Sequence, residues 1–216
     1  MQGLNSNESL LNGVSLFKNA TIRIKREKTI YFDPYRVEGY TRDADIIFIS
    51  HSHSDHLSPD DINKLVCEQT ILVAPESCYD QLVEAGYTNI LTVMPSESYE
   101  VCGVRFKTVP MYNIGKRFHG KENNWVGYIV YIDGAAYYFA GDTDIIPEMK
   151  EISADAAFLP AGGTYTMTAK EAAEAAGIIA PKVAVPMHYA DVAGTMEDGE
   201  IFIRELDNSI KGVLLK

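Results

Sequence analysis

Three of the five histidines in this chain fall within six residues, His51-Ser52-His53-Ser54-Asp55-His56. Imidazole nitrogens joined by a carboxylate suit Zn, Fe or Mn. In an extended loop His51 and His53 share a face and can approach one cation. Asp55 and His56 then point to an adjacent position, as a second cation would require. No cysteine stands nearby, which excludes a thiolate-type structural site. A solvated polar loop is the plain alternative, but it accounts poorly for three clustered histidines directly after an apolar run.

Two later segments place similar residues in similar positions. Gly141-Asp142-Thr143-Asp144 follows an apolar stretch ending at Ala140. A Gly-Asp pair after a strand is usually a turn. Beside two cations, however, a carboxylate there can bridge them and hold them about 3.5–4 Å apart. His188, in Pro186-Met187-His188-Tyr189, closes another apolar run. Alone it reads as a hydrogen-bonded core histidine. All three segments sit where a strand would end, and ligands of open α/β sheets gather outside strand ends.

The elements that must position these residues are legible in outline. β-like runs occur at 13–17, 20–24 and 29–32, the last closing on Asp33-Pro34. The continuous apolar run 44–50 predicts a strand covered on both faces. Ser58, Pro59, Asp60 and Asp61 form a helix start, with a helix to about residue 67. A strand at 70–74 and a helix at 76–85 follow. Strands are then predicted at 90–94, 99–102, 104–110 and 125–132. Asp133-Gly134 is a hairpin signal leading into 135–140. A short helix near 147–152, a strand at 156–159, a capping box Thr168–Glu171 opening a helix over 169–179, and a strand at 183–187 come next. A helix near 200–206 and a strand at 212–215 finish the chain. Two mixed sheets with helices outside satisfy this order.

Composition bounds the function. With 216 residues, 46% of them hydrophobic, the chain fits one domain spanning 1–216 with a sizeable core, and residues 1–12 read as a mobile tail. Nineteen Lys+Arg against thirty Asp+Glu give a net charge of −11. That charge opposes affinity for nucleic-acid backbones or anionic membranes, so neither is expected as a partner. No apolar run reaches membrane-spanning length, and the first residues lack the pattern of a secretory signal. Three widely spaced cysteines do not form a disulfide framework. A cytoplasmic location is therefore expected, with a homo-oligomer left open.

Taken together, these segments resemble the metallo-β-lactamase-fold superfamily along nearly the whole chain. The His51-x-His53-x-Asp55-His56 motif is its signature, and Gly141-Asp142-Thr143 and Met187-His188-Tyr189 match in order and spacing. Segments 109–113, 127–128, 140–144 and 159–163 look like the small branch that includes ascorbate-6-phosphate lactonase-like hydrolases. The resemblance implies an α/β (α+β) fold, a four-layer αβ/βα sandwich with the metal site on one edge between the sheets. It also implies two divalent ions, Zn above all, with Mn, Fe or Ni as alternatives. One would be held by His51, His53 and a third histidine. The other would be held by Asp55, His56 and His188, with Asp142 bridging.

The third ligand of the first ion departs from the pattern. The family places a histidine just after the strand that corresponds to 104–110, where this chain has Asn113; the remaining histidine, His119, lies six residues further on. Three readings stay open. His119 swings in, Asn113 binds through its carbonyl oxygen, or the first ion is loosely held. The same loop carries Lys116, Arg117 and Lys121, expected as an anchor for an anionic substrate. Tyr112, Tyr165 and Tyr189 are candidates for the mouth. Asp33 is a candidate buttress for a ligand histidine.

The activity implied is a metal-dependent hydrolase that uses a metal-bound hydroxide to cleave an ester, lactone or phosphoester-type bond in a small, anionic molecule. Paired cations lower the pKa of water from 15.7 to about 7. Asp55 and Asp142 would orient the nucleophile and take its proton, with His188 completing the catalytic set. The alternatives are a phosphodiesterase of the same fold, or a non-catalytic metal-binding or sensing domain whose first site has decayed at Asn113.

Overall fold

The computed structural model describes residues 9–215, and in it the strands form two mixed sheets. The first sheet runs in sequence order through β1 (Val14–Leu16), β2 (Ile22–Lys25), β3 (Thr29–Phe32), β4 (Ala44–Phe48), β5 (Val66–Pro75) and β6 (Ile90–Val93). Its β1–β3 pairs are antiparallel, and β3, β4, β5 and β6 are mutually parallel. The second sheet contains β7 (Ser98–Val101), β8 (Val104–Pro110), β9 (Val126–Ile132), β10 (Ala135–Phe139), β11 (Ala156–Pro160), β12 (Val183–Met187) and β13 (Lys211–Gly212), again in sequence order. It is antiparallel from β7 to β10 and parallel from β10 onward. Each sheet thus ends in a parallel half, and the parallel halves carry the site.

Alternation along β4 shows why the sandwich has four layers. Ile46 and Phe48 join the core between the sheets, whereas Ile47 and Ile49 face the other way, into a second cluster with Leu57, Ile62, Leu65 and Leu82. Ile62 and Leu65 belong to α1 (Pro59–Leu65) and Leu82 to α2 (Tyr79–Glu84), so these helices cover the first sheet. An alanine-rich face of α3 (Ala169–Ile179) is buried, and α3 and α4 (Met196–Glu205) lie against β11 and β12. Small alanines let a helix approach a sheet of bulky side chains closely.

Between the sheets lies an aromatic layer. Phe32 stacks on Phe48 (5.2 Å between centroids) and on Phe139 (4.8 Å), while Phe48 meets Phe106 edge-on at 5.0 Å. Tyr128 from β9 crosses this layer and donates to the carbonyl of Ile49 at 2.7 Å. That bond ties the second sheet to the backbone two residues before His51.

Local signals account for most boundaries. Ser58 caps α1 with Pro59 at its first turn, and Thr168 and Glu171 form the capping box of α3. Asp133 and Gly134 both have positive φ, 51° and 76°, as a two-residue hairpin requires. Several ends differ from expectation; α4, for one, starts at Met196 rather than near residue 200. Helix α1 stops at Leu65, because Val66 is extended and pairs with Ala44, which lengthens β5 at the expense of the helix. The last strand pairs only at Lys211–Gly212 rather than over 212–215. Of the expected tail, residues 1–8 lie outside the described residues, while Leu10 is packed into the core. No helix among the described residues is long and apolar enough to cross a membrane.

Tyr128→Phe should lower unfolding free energy by about 0.5–1.5 kcal/mol, the net value of one buried hydrogen bond. Denaturant titration measures it, and an unchanged midpoint would show that the sheets are held by packing alone.

Candidate metal centre

Parallel strands deliver the polar residues to one edge. Asp33 follows β3, residues 50–56 follow β4, Asp142 follows β10 and His188 follows β12. Tight backbone turns aim them. Asp33, Gly141 and His188 have φ of 42°, 63° and 52°. At Gly141 a Cβ would meet Met111 Sδ at 2.5 Å and Ser50 Cβ at 3.0 Å, so glycine is required for both conformation and space.

Two groups of ligand-type atoms result. Ring nitrogens of His51, His53 and His119 lie within 4.8 Å of one another, with His51 Nε2 3.0 Å from His53 Nδ1. Asp55, His56 and His188 form the second group, where Asp55 Oδ2 is 3.3 Å from Nε2 of both histidines. Asp142 stands between the groups. Its Oδ2 is 3.5 Å from His119 Nε2, 3.4 Å from His56 Nε2 and 3.2 Å from His188 Nε2.

The residues fit divalent cations. His56 Nε2, His119 Nε2 and Asp142 Oδ1 are buried without a hydrogen-bond partner, an arrangement that is costly unless something else satisfies them. The opposite ring nitrogens are already engaged. His56 Nδ1 bonds Asp33 Oδ2 at 2.6 Å, His51 Nδ1 bonds Ser50 Oγ at 2.8 Å, and His119 Nδ1 bonds Asn113 Oδ1 at 2.9 Å. Since Ser50 Oγ donates to Asp33 Oδ2 at 2.5 Å, it accepts from His51 Nδ1–H. In all three rings Nε2 is thereby the nitrogen that faces inward, and it offers a lone pair to a cation whenever the ring is neutral. The donor set holds nitrogen and oxygen but no thiolate, as borderline divalent metals prefer.

The two groups differ electrostatically. Burial depresses His51 well below the usual imidazole range and His119 to about 4, and lowers His53 in the same direction. Burial also opposes charge on His56 and His188, but carboxylates outweigh it there. Asp142 and Asp33 hold His56 well above the usual range, and Asp142 and Asp55 raise His188 to about 9. Asp142 is itself held well below the usual carboxylate range, because His188 and His56 outweigh its burial.

His119 is buried beside His51 and His53, with ring centroids 5.1 and 5.0 Å away, and belongs to the group that could hold an ion. Asn113 bonds to His119 itself. Its Oδ1 accepts from both Nδ1 and the backbone N of His119, and its Nδ2 donates to the Tyr165 carbonyl at 3.0 Å. Asp33 Oδ2 accepts from His56 Nδ1 at 2.6 Å, the contact a buttress of that ring would make.

Lys116, Arg117 and Tyr189, the expected substrate anchors, are not among the residues lining the cleft. Lys116 Nζ is held by Asp144 Oδ1 at 2.5 Å and the Thr166 carbonyl at 2.7 Å, so its charge latches the loop. Arg117 is exposed and lies outside the cleft lining. Tyr189 lines a separate pocket and its ring fills the space against Gly199 of α4. Tyr112 turns to Glu148. The cleft that opens on both ligand groups measures about 150 Å³; its floor includes His53, Asp55, Asp142 and His188, and its walls are Phe118, Tyr165 and Val192.

Sequence reasoning missed three supports. Asn19 Nδ2 donates to Asp55 Oδ2 at 3.0 Å while its carbonyl accepts from His188 N at 2.8 Å, and nothing in its neighbourhood signals this. Ser50 joins Asp33 to His51. Trp125 lies 4.8 Å from His51 and 4.9 Å from His53, ring to ring. Its being the chain's single tryptophan was the one available hint.

Residues 14–188 match the family model described as a beta-lactamase superfamily domain. A UPF0173 metal-dependent hydrolase of Pyrococcus abyssi is 30% identical over 94% of this chain and 96% of its own length. Among solved structures, a candidate metal-dependent hydrolase from Parabacteroides distasonis superposes with a TM-score of 0.78 at 30% identity, covering 94% of this chain and 91% of that one. Igni18, a metallo hydrolase from Ignicoccus hospitalis, shares the fold at 21% identity, with a TM-score of 0.75 and 94% of both chains covered.

His119→Ala should halve the metal content per chain. Asn113→Ala should keep the stoichiometry but weaken the cation held beside His119 by about 10–100-fold. Elemental analysis and competition with a chromophoric chelator read the two effects, and wild-type affinity in Asn113→Ala would remove that residue from the site. Uptake also has a proton signature. His188, raised to about 9, carries a proton at pH 7 in the metal-free chain but can ligate only when neutral, and carboxylates raise His56 in the same direction. Loading should therefore release protons and acidify the solution. Calorimetry in buffers of different ionisation enthalpy measures this, and heats independent of buffer would contradict it.

Proposed function

The chain belongs to the beta-lactamase superfamily domain family and is a metal-dependent hydrolase, and from that premise we propose that it cleaves an ester, lactone or phosphoester-type bond in a small molecule, with residues 1–216 acting as one domain. The observation that carries this reading is the pairing of two ligand groups across Asp142 beneath a single cleft. Two divalent cations held there, one by His51, His53 and His119 and one by Asp55, His56 and His188, would supply Lewis acidity toward the scissile group and a water that ionises near neutral pH.

The protein's own residues divide the remaining work. Asp142 is buried between the groups and fixes their separation, its side chain only 4% exposed. Asp55 is 18% exposed and borders the cleft. Burial alone would raise its pKa, but hydrogen bonds from His188 and His56 pull it below the usual carboxylate range and keep it ionised. As an ionised acceptor at the cleft it would orient the attacking water. Asn19 and His188 hold Asp55 in that position. Phe118, Tyr165 and Val192 restrict access of bulk water from the sides.

A closed structural site, the contrasting reading, would leave no cleft over its ligands. Here His53, Asp55, His119, Asp142 and His188 all border open space.

Zinc- or manganese-loaded protein should hydrolyse at least one of a p-nitrophenyl ester, a simple lactone and bis(p-nitrophenyl) phosphate. Chelation should abolish that turnover, and Asp142→Ala should lower it by about 10³-fold or more, as removal of a two-metal clamp does. Turnover that survives both treatments would sink the metal-centred mechanism, and inactivity of the fully loaded protein on all three would sink the proposed bond classes.

A further inference from the structure

Resting on the hydrolase reading above, we propose that the substrate is a small neutral molecule with an apolar or aromatic group beyond its scissile bond, and that Phe118, Tyr165 and Val192 recognise that group. The cleft has a polar floor of ligand residues and walls without a lysine or arginine among its lining residues. Phe118 and Val192 are 36% and 40% exposed at the rim. Phe118 also meets Tyr165 edge-on, with centroids 4.9 Å apart and planes at 85°. Apolar side chains left in water beside a polar floor gain when a ligand covers them.

Two cations near the rim are already committed. Lys116 points into Asp144 and the Thr166 carbonyl. Arg36 pairs with Asp191, the neighbour of Val192, at 2.5 Å. Arg117, beside Phe118 in sequence, is exposed but is not among the cleft-lining residues. A charged tail lying against Phe118, Tyr165 and Val192 would lose water without gaining a partner there. The wall is also tied to the metal centre, since Asn113 bonds both His119 and the Tyr165 backbone. Ligand and wall are therefore positioned by the same side chain.

Hydroxamates test this without turnover, because their head groups bind metal while their tails report on the walls. Trp125, the chain's only tryptophan, lies against His51, His53 and His119 and supplies the fluorescence signal on zinc-loaded protein. Benzohydroxamate should bind at least about tenfold tighter than acetohydroxamate, equivalent to about 1.4 kcal/mol, and succinate monohydroxamate no tighter than acetohydroxamate. In Phe118→Ala the benzo/aceto ratio should fall below about threefold, with recovery in Phe118→Leu. Zinc content measured on each variant separates a lost wall from a lost centre. Equal affinities across the wild-type series would overturn the proposal. So would a preference for the succinate compound that Arg117→Ala abolishes, which would instead restore a basic anchor. If none of the compounds binds zinc-loaded protein, the metal-centre reading falls and takes this proposal with it.

Discussion

The buried carboxylate of Asp33 accepts three hydrogen bonds, from Ser50 N at 2.7 Å, Ser50 Oγ at 2.5 Å and His56 Nδ1 at 2.6 Å, and through Ser50 Oγ it also reaches His51. One side chain at the end of β3 thus orients a histidine of each ligand group at the end of β4. Its placement depends on the parallel pairing of these strands, with Phe32 level with Phe48, and on the left-handed turn at Asp33 itself. Such a conformation in a non-glycine residue costs of order 1–3 kcal/mol and persists only where its surroundings demand it. Those surroundings include Thr21, whose hydroxyl donates to the Asp33 carbonyl at 2.8 Å. Burial pushes the Asp33 carboxyl up, against the pull of His56 and Ser50. Its charge is therefore retained only through these partners, so the carboxylate and the ring orientation stabilise each other.

The second sheet answers this arrangement from across the cleft. Asp142 and His188 arrive on β10 and β12, and the aromatic layer of Phe32, Phe48 and Phe139 sets how far apart the two strand ends stand. A packed interior transmits changes of one methylene. Substitution in this layer would therefore act on the distance from Asp142 to His56 as well as on stability. The fold and the site share one set of contacts, and the strand ends are held by residues that never touch a ligand.

What could be read from the sequence follows from how local each signal is. The His51–His56 cluster is contiguous and chemically dense, and the run 44–50 needs only its own apolarity to predict a strand covered on both faces. Ser58, Thr168 and Asp133-Gly134 act within four residues, and all three appear where expected. The partners of Lys116 were not legible, because Asp144 and Thr166 lie 28 and 50 residues away. A lysine in a polar loop looks free until the fold supplies a carboxylate. The direction of Tyr189 was not legible either. The left-handed turn at His188 sends the next side chain away from the cleft, and residue type alone does not encode such a reversal. Phe118 and Val192 became visible only when their exposure could be seen beside the ligand residues.

The displacement of the third histidine by six positions has a physical resolution in the loop 113–119. Asn113 N donates to the His119 carbonyl at 2.7 Å, and Asn113 Oδ1 accepts from the His119 backbone N at 3.1 Å and from its ring at 2.9 Å. The two residues are thus paired, and the loop between them closes on itself. Closing so short a loop costs little additional chain entropy, and the latch of Lys116 on Asp144 with the bond from Ile114 N to Asp144 Oδ2 pins its far side. His119 consequently stands in space next to Asn113, three residues past the end of β8. The loop that brings it back also projects Phe118 over the cleft, so one detour supplies both a candidate ligand and a wall of the cleft.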